Sequence, residues 1–116
     1  MPAKRNPLNL NPLQLKTLTL LQELARIAGK PAAGDGDSDG GLAITELPDP
    51  HGDHFHLGDA VVAARDATGL HNPSVWAALE RKGLIRPQLP EAVILTTLGQ
   101  HYETGLRDRI LHSSGH

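Results

Sequence analysis

Two stretches of the chain carry residues suited to holding a cation. The first runs Asp35-Gly36-Asp37-Ser38-Asp39-Gly40-Gly41-Leu42-Ala43-Ile44-Thr45-Glu46, with carboxylates at positions one, three, five and twelve. Calcium is a hard cation that takes six to eight oxygens. Asp35, Asp37, Asp39, the Gly41 carbonyl and a bidentate Glu46 would supply most of them, and Gly40 sits where such a loop turns sharply. The expectation is one weak, structural calcium site; the other reading of the same run is a solvated Asp/Gly loop. The second stretch is His51-Gly52-Asp53-His54-Phe55-His56. If residues 54–56 are extended, His54 and His56 share a face at a spacing usable for zinc or nickel. His71 joins them only if the fold brings its turn close. With seven histidines in the chain, the alternative is a set of exposed loop histidines. No nucleophile elbow, phosphate loop or HExxH helix is present. Asp53 beside His54, and His101 near Glu103, read as surface neighbours, so no enzymatic activity is expected.

The elements that must position these residues follow from periodicity and punctuation. Residues 1–11 read as a flexible arm. Asn11-Pro12-Leu13-Gln14 is a helix start with a cap, a proline in the first turn and capping-box spacing. Leu13, Leu20, Leu21, Leu24, Ile27 and Ala28 then fall on one face of a helix over 12–28. The stretch 29–41 is a Pro/Ala/Gly/Asp loop. An EF-hand would need its entering helix to run straight into the acidic loop and an exiting helix near Ile44; Gly29-Lys30-Pro31 and Pro48 and Pro50 oppose both. Leu42–Leu47 alternates as a strand, and Phe55-His56-Leu57 suggests a second extended piece. Gly58–Thr68 reads as a second helix, and Asn72-Pro73 opens a third, over about 73–82, ended by Gly83. Residues 84–86 and 92–95 read as the strands of a hairpin. Thr96 caps a last helix over 97–112, and 113–116 form a tail. Leu98, Tyr102, Leu106 and Ile110 lie at four-residue spacing on that last helix and suggest either a homodimer face or ordinary core.

Composition bounds the rest. A chain of 116 residues with 39% hydrophobic and 3% aromatic residues suits a single domain with an aliphatic core. There is no cysteine, so disulfides and thiolate metal sites are excluded. No secretory leader or membrane span is read, and the expected location is the cytoplasm. The net charge of −2 is uneven. Lys4, Arg5, Lys16 and Arg26 stand against Glu23 in residues 1–28. Lys30 stands against six carboxylates in 29–57, and six cations balance six carboxylates from 58 onward.

Val75-Trp76-Ala77-Ala78-Leu79-Glu80-Arg81-Lys82-Gly83-Leu84-Ile85, followed by Leu95-Thr96-Thr97-Leu98-Gly99, resembles the recognition helix and post-wing turn of winged-helix regulators of the MarR and PadR types. The resemblance covers about 58–105. It implies an α+β winged helix-turn-helix in the order helix-strand-helix-helix-strand-strand-helix, with the helix-turn-helix at 58–83 and the wing at 84–95 of a single 12–112 domain. It implies a transcriptional regulator that binds duplex DNA. Asn72, Ser74, Ala77, Ala78 and Arg81 would face the major groove, Lys82 and Arg86 would reach phosphates, and Gln88 would stand at the wing tip. The helix face is rich in alanine and carries Glu80, and the wing has one basic residue. The second reading is therefore a winged-helix protein-interaction module without DNA binding, with the calcium loop as a structural part.

Overall fold

The first helix forms where the capping signal places it. The computed structural model describes residues 6–31, 41–48, 52–88 and 92–113, and in it α1 spans Pro12–Ala28. Asn11 Oδ1 accepts from the Gln14 amide at 2.8 Å, and Gln14 Oε1 accepts from the Asn11 amide at 3.0 Å. This reciprocal box satisfies a donor that the helix start leaves open, while Pro12 has no donor to satisfy. Residues 17–21 are buried without a break, followed by Glu23, Leu24 and Ala25, so α1 is covered on more than one face. Periodicity placed Ile27 and Ala28 inside; both are exposed, and Thr17 and Thr19 are buried instead. The Thr17 hydroxyl donates to the Leu13 carbonyl at 2.9 Å and the Thr19 hydroxyl to that of Leu15 at 2.8 Å. Bonding four residues back lets a threonine enter the core without an orphaned polar group.

After α1 come β1 (Lys30–Pro31), β2 (Leu42–Ile44), β3 (His54–Leu57), β4 (Ala60–Ala63), 3₁₀ turns at Ala64–Asp66 and Thr68–His71, and α2 (Pro73–Arg81). Then follow β5 (Ile85–Gln88), β6 (Ala92–Leu95), α3 (Thr97–His101), α4 (Arg107–Ile110) and β7 (His112–Ser113). The chain is thus mixed α+β, with two antiparallel sheets ordered β1-β2-β6-β5 and β3-β4-β7. In the first sheet Ile85 pairs with Leu95, and Leu95 with Leu42. Ile44, Ile85, Val93 and Leu95 are buried in one core with Leu18, Leu20 and Leu21 of α1.

The expected helix over 58–68 is absent. Residues 54–63 form the β3–β4 hairpin, in the register His54↔Ala63 and His56↔Val61, and only 3₁₀ turns follow. Gly58-Asp59 is a two-residue turn with Gly58 at φ 60°, and turns of that length with glycine first suit the twist of a hairpin. Val61 and Val62 are β-branched and prefer the pleated surface. The order of elements therefore departs from the expected one at this point. The two 3₁₀ turns lie close under α1: a Cβ added to Gly69 would stand 1.9 Å from Thr17 Oγ1.

The single helix expected over 97–112 is also absent. It breaks after His101, passes Gly105 at φ 71°, makes one turn of α4, and pairs β7 with β4. Tertiary bonds account for the break. Gln22 Nε2 donates to the carbonyls of Gly99 and Tyr102, both at 2.8 Å. The Thr19 and Thr104 hydroxyls share a bond of 2.7 Å. Tyr102 is buried, donates its hydroxyl to Asn6 Oδ1 at 2.6 Å and accepts from the Leu8 amide at 3.1 Å. Residues 6–10, read from sequence as arm, are thus held to the domain, with Leu10 buried. The four-residue stripe is not one helix face either: Leu98 is 51% exposed, whereas Tyr102 and Ile110 are in the core. No helix among the described residues is long and apolar enough to cross a membrane.

Candidate functional site

The end of α2 and the start of the following hairpin are fixed by backbone bonds. Asn72 caps α2, its side chain accepting from the Ser74 amide at 2.9 Å. At the other end the Leu84 amide donates to the Leu79 carbonyl at 3.0 Å and the Gly83 amide to that of Glu80 at 3.0 Å, with Gly83 at φ 79°. This is the paired closure that a left-handed glycine allows at a helix terminus. It delivers Leu84 and Ile85 straight into the core.

Thr96 ties that terminus to the far side of the hairpin. Its hydroxyl shares its proton between the Gly83 carbonyl at 2.7 Å and that of Leu84 at 3.0 Å, and accepts from the Gly99 amide at 3.1 Å. Gly99 lies so near that an added Cβ would sit 2.2 Å from the Leu84 oxygen. The Lys-Gly-Leu-Ile and Leu-Thr-x-x-Gly signals are therefore two halves of one clamp between α2, β5 and α3.

The sequence-derived groove residues divide on this scaffold. Ser74, Ala77 and Arg81 are exposed on α2, spaced to lie on one side of it. Arg86 is exposed on β5, and α2 packs against that strand. Ala78 is buried, because it faces the core with Val75 and Leu79, so it is corrected from a groove position to a packing one. Asn72 is committed to its cap. Lys82 is half-buried and its ammonium donates to the Leu8 carbonyl at 2.8 Å, fastening the N-terminal segment. The side chain of Gln88 lies outside the described residues.

Of the calcium set, Asp35, Asp37 and Asp39 lie outside the described residues. Gly41 is buried, with Ile94 2.7 Å from the position of an added Cβ, and Glu46 is exposed beyond β2. Residues 42–44 are strand and 45–48 are not helical, so no exiting helix begins near Ile44.

The histidine pair is brought together. His54 and His56 lie on one face of β3, with Nε2 atoms 3.1 Å apart and ring centroids 4.8 Å apart. Asp53 Oδ1 lies 3.3 Å from His54 Nδ1. No group of three or more His, Cys, Asp or Glu side chains converges among the described residues, so His71 does not join them.

Sequence reasoning missed one cluster. Glu23 is 3% exposed, with Arg26 on one carboxylate oxygen and Arg107 Nη2 2.7 Å from the other. Burial pushes its carboxyl up, but the hydrogen bonds and charges of Arg26 and Arg107 outweigh that and hold it below the usual range. Beside it opens a cleft of 340 Å³ lined by Thr19, Gln22, Arg26, Gln100, His101 and Arg107. Glu23 and Arg26 are three apart on α1, a readable pair; Arg107 is 84 residues away in sequence, and nothing in the sequence brings it there. Comparison with known proteins adds no name to these sites: no family model, curated protein or solved structure matches the chain.

Proposed function

We propose that the chain is a winged-helix type of duplex-DNA-binding regulator, in which α2 enters the major groove and the β5–β6 hairpin is the wing. The observation that carries this reading is the exposed edge formed by Ser74, Ala77 and Arg81 of α2 with Arg86 of β5, held by the Thr96 clamp. The β5–β6 hairpin following at once on α2 supports it, as does the three-strand set β2-β6-β5, while the β3–β4 hairpin is an addition to the winged-helix order. On this reading the two 3₁₀ turns at 64–71 stand in for the first helix of a helix-turn-helix. The protein works by binding rather than catalysis, in the cytoplasm, and a two-fold operator would call for a homodimer.

Phosphate contacts supply the affinity, from Arg81 and Arg86 and from Lys4 and Arg5 ahead of the described residues. With two to four such contacts, log K against log salt should fall with a slope of roughly −2 to −4. Fluorescence anisotropy of a labelled mixed-sequence duplex, measured from 20 to 200 mM salt, tests this. A slope near zero, or no binding at 20 mM salt, contradicts it.

Two observations favour a second reading, a protein-interaction module. Ala77 and Glu80 share the exposed surface of α2, and Leu98, 51% exposed, reaches to about Gly83 at the helix end. An apolar contact there would use the same rigid edge without phosphates.

A further inference from the structure

We propose that His54 and His56 form a two-imidazole site for a divalent transition metal of the zinc class, oriented by Asp53. Side chains two apart on a strand start from Cα atoms separated by about 6.7 Å. Here the two Nε2 atoms have converged to 3.1 Å. Two imidazole nitrogens bound to one zinc at about 2.05 Å would subtend about 100° at that separation, close to the tetrahedral angle.

The hairpin supplies the rigidity. Phe55 and Leu57 anchor the opposite face of β3 in the core. Across the ladder His54 faces Ala63 and His56 faces Val61, residues that offer no competing donor or acceptor side chain. His56 is exposed and His54 half-exposed, so the pair lies at the solvent surface.

Asp53 gives the pair its polarity. Its Oδ1 lies 3.3 Å from His54 Nδ1, which favours the tautomer with the proton on Nδ1 and the lone pair on Nε2. A carboxylate behind a ligating imidazole is the usual outer partner of a metal-bound histidine. In the metal-free protein His56 Nε2–H then donates to His54 Nε2. Metal binding moves the His56 proton from Nε2 to Nδ1 by exchange with water, so no net proton is lost and both Nε2 lone pairs face the ion.

Imidazole suits zinc, nickel and copper, whereas calcium takes oxygens. Among the described residues no third His, Asp or Glu side chain converges on the pair. The site is on the β3–β4 hairpin, and its existence does not depend on DNA binding by α2.

The test is a titration of the full metal-free chain with zinc chloride, followed by imidazole ¹⁵N NMR. Saturable shifts of the His54 and His56 nitrogens below 1 mM zinc are expected, with none from calcium chloride at these two rings. His54→Gln and His56→Gln should each weaken binding at least tenfold. Asp53→Asn should weaken it by about tenfold, the low end of what an outer carboxylate contributes, and shift the His54 tautomer. His56 and Asp53 are exposed and His54 is half-exposed, so unchanged melting curves without metal are expected for all three variants. No saturation by 1 mM zinc, or unchanged zinc affinity in the His54→Gln/His56→Gln double variant, overturns the proposal and leaves the pair as a surface hydrogen bond.

Discussion

The α2–hairpin region and the segment from Tyr102 through α4 are held in place by different kinds of bond. In the first, caps and close approaches within about thirty residues do the fixing: Asn72 on Ser74, Gly83 on Glu80, Thr96 on Gly83 and Leu84, Gly99 against Leu84. In the second, the fixing bonds reach across the chain to α1. Thr104 meets Thr19, Gln22 takes the Tyr102 carbonyl, and Arg107 meets Glu23. A region closed by local backbone chemistry can present a surface without moving. A region closed by long-range polar contacts depends on α1 remaining in place and on the charge of one carboxylate.

Four substitutions sharpen this contrast, taken from the largest expected effect to the smallest. Gly99→Ala forces a methyl to within 2.2 Å of the Leu84 oxygen, and backbone must shift to admit it. Overpacking of this kind costs about 3 kcal/mol, read by urea unfolding, and a cost under 0.5 kcal/mol would mean that the clamp is slack. Glu23→Gln leaves two arginines facing an amide, for a loss of about 2 kcal/mol at pH 7.

The pH dependence of Glu23 has a defined sign. Its folded pKa lies below the ordinary 4.5, so the contribution is complete above that value and is lost as pH falls through the lowered folded pKa. The difference between wild type and Glu23→Gln should therefore shrink on acidification below pH 4.5. A gap that holds constant down to pH 2 would remove the charge from the account of α4 docking. Thr96→Val removes one donor and one acceptor from the clamp, for about 1.5 kcal/mol. Gly83→Ala places a side chain at φ 79°, for about 1 kcal/mol. If Thr96→Val were neutral while Gly83→Ala cost more, the helix terminus alone would carry the rigidity.

The same contrast explains what was legible in the sequence. Asn11-Pro12-x-Gln14, Asn72-Pro73, Lys82-Gly83-Leu84-Ile85 and Thr96-x-x-Gly99 are local signals, and each appears where expected with its bond made. Gly58–Thr68 misled because a run of alanine and valine fits either helix or strand by hydrophobicity alone; the Gly58-Asp59 turn and two adjacent valines decided for the hairpin. The last helix misled because its four-residue stripe was regular. What breaks it is Tyr102 reaching Asn6 and Gln22 capturing two carbonyls, contacts spanning 77 to 96 residues. Among the groove candidates, exposure of Ser74 and Arg81 was readable from helical phase. The burial of Ala78 was less so, since alanine is placed by its neighbours, and Lys82 was diverted by the Leu8 carbonyl.

The most direct test of the central claim, that the clamped α2–hairpin edge binds duplex DNA, is a backbone amide NMR titration with a mixed-sequence duplex at low and then physiological salt. The account predicts shifts confined to residues 72–88 and the N-terminal segment, weakening as salt rises. Arg81→Ala should lower the salt slope by about 1 without changing stability. An absence of shifts at low salt, where phosphate attraction is strongest, or shifts confined to the β3–β4 hairpin, would contradict it.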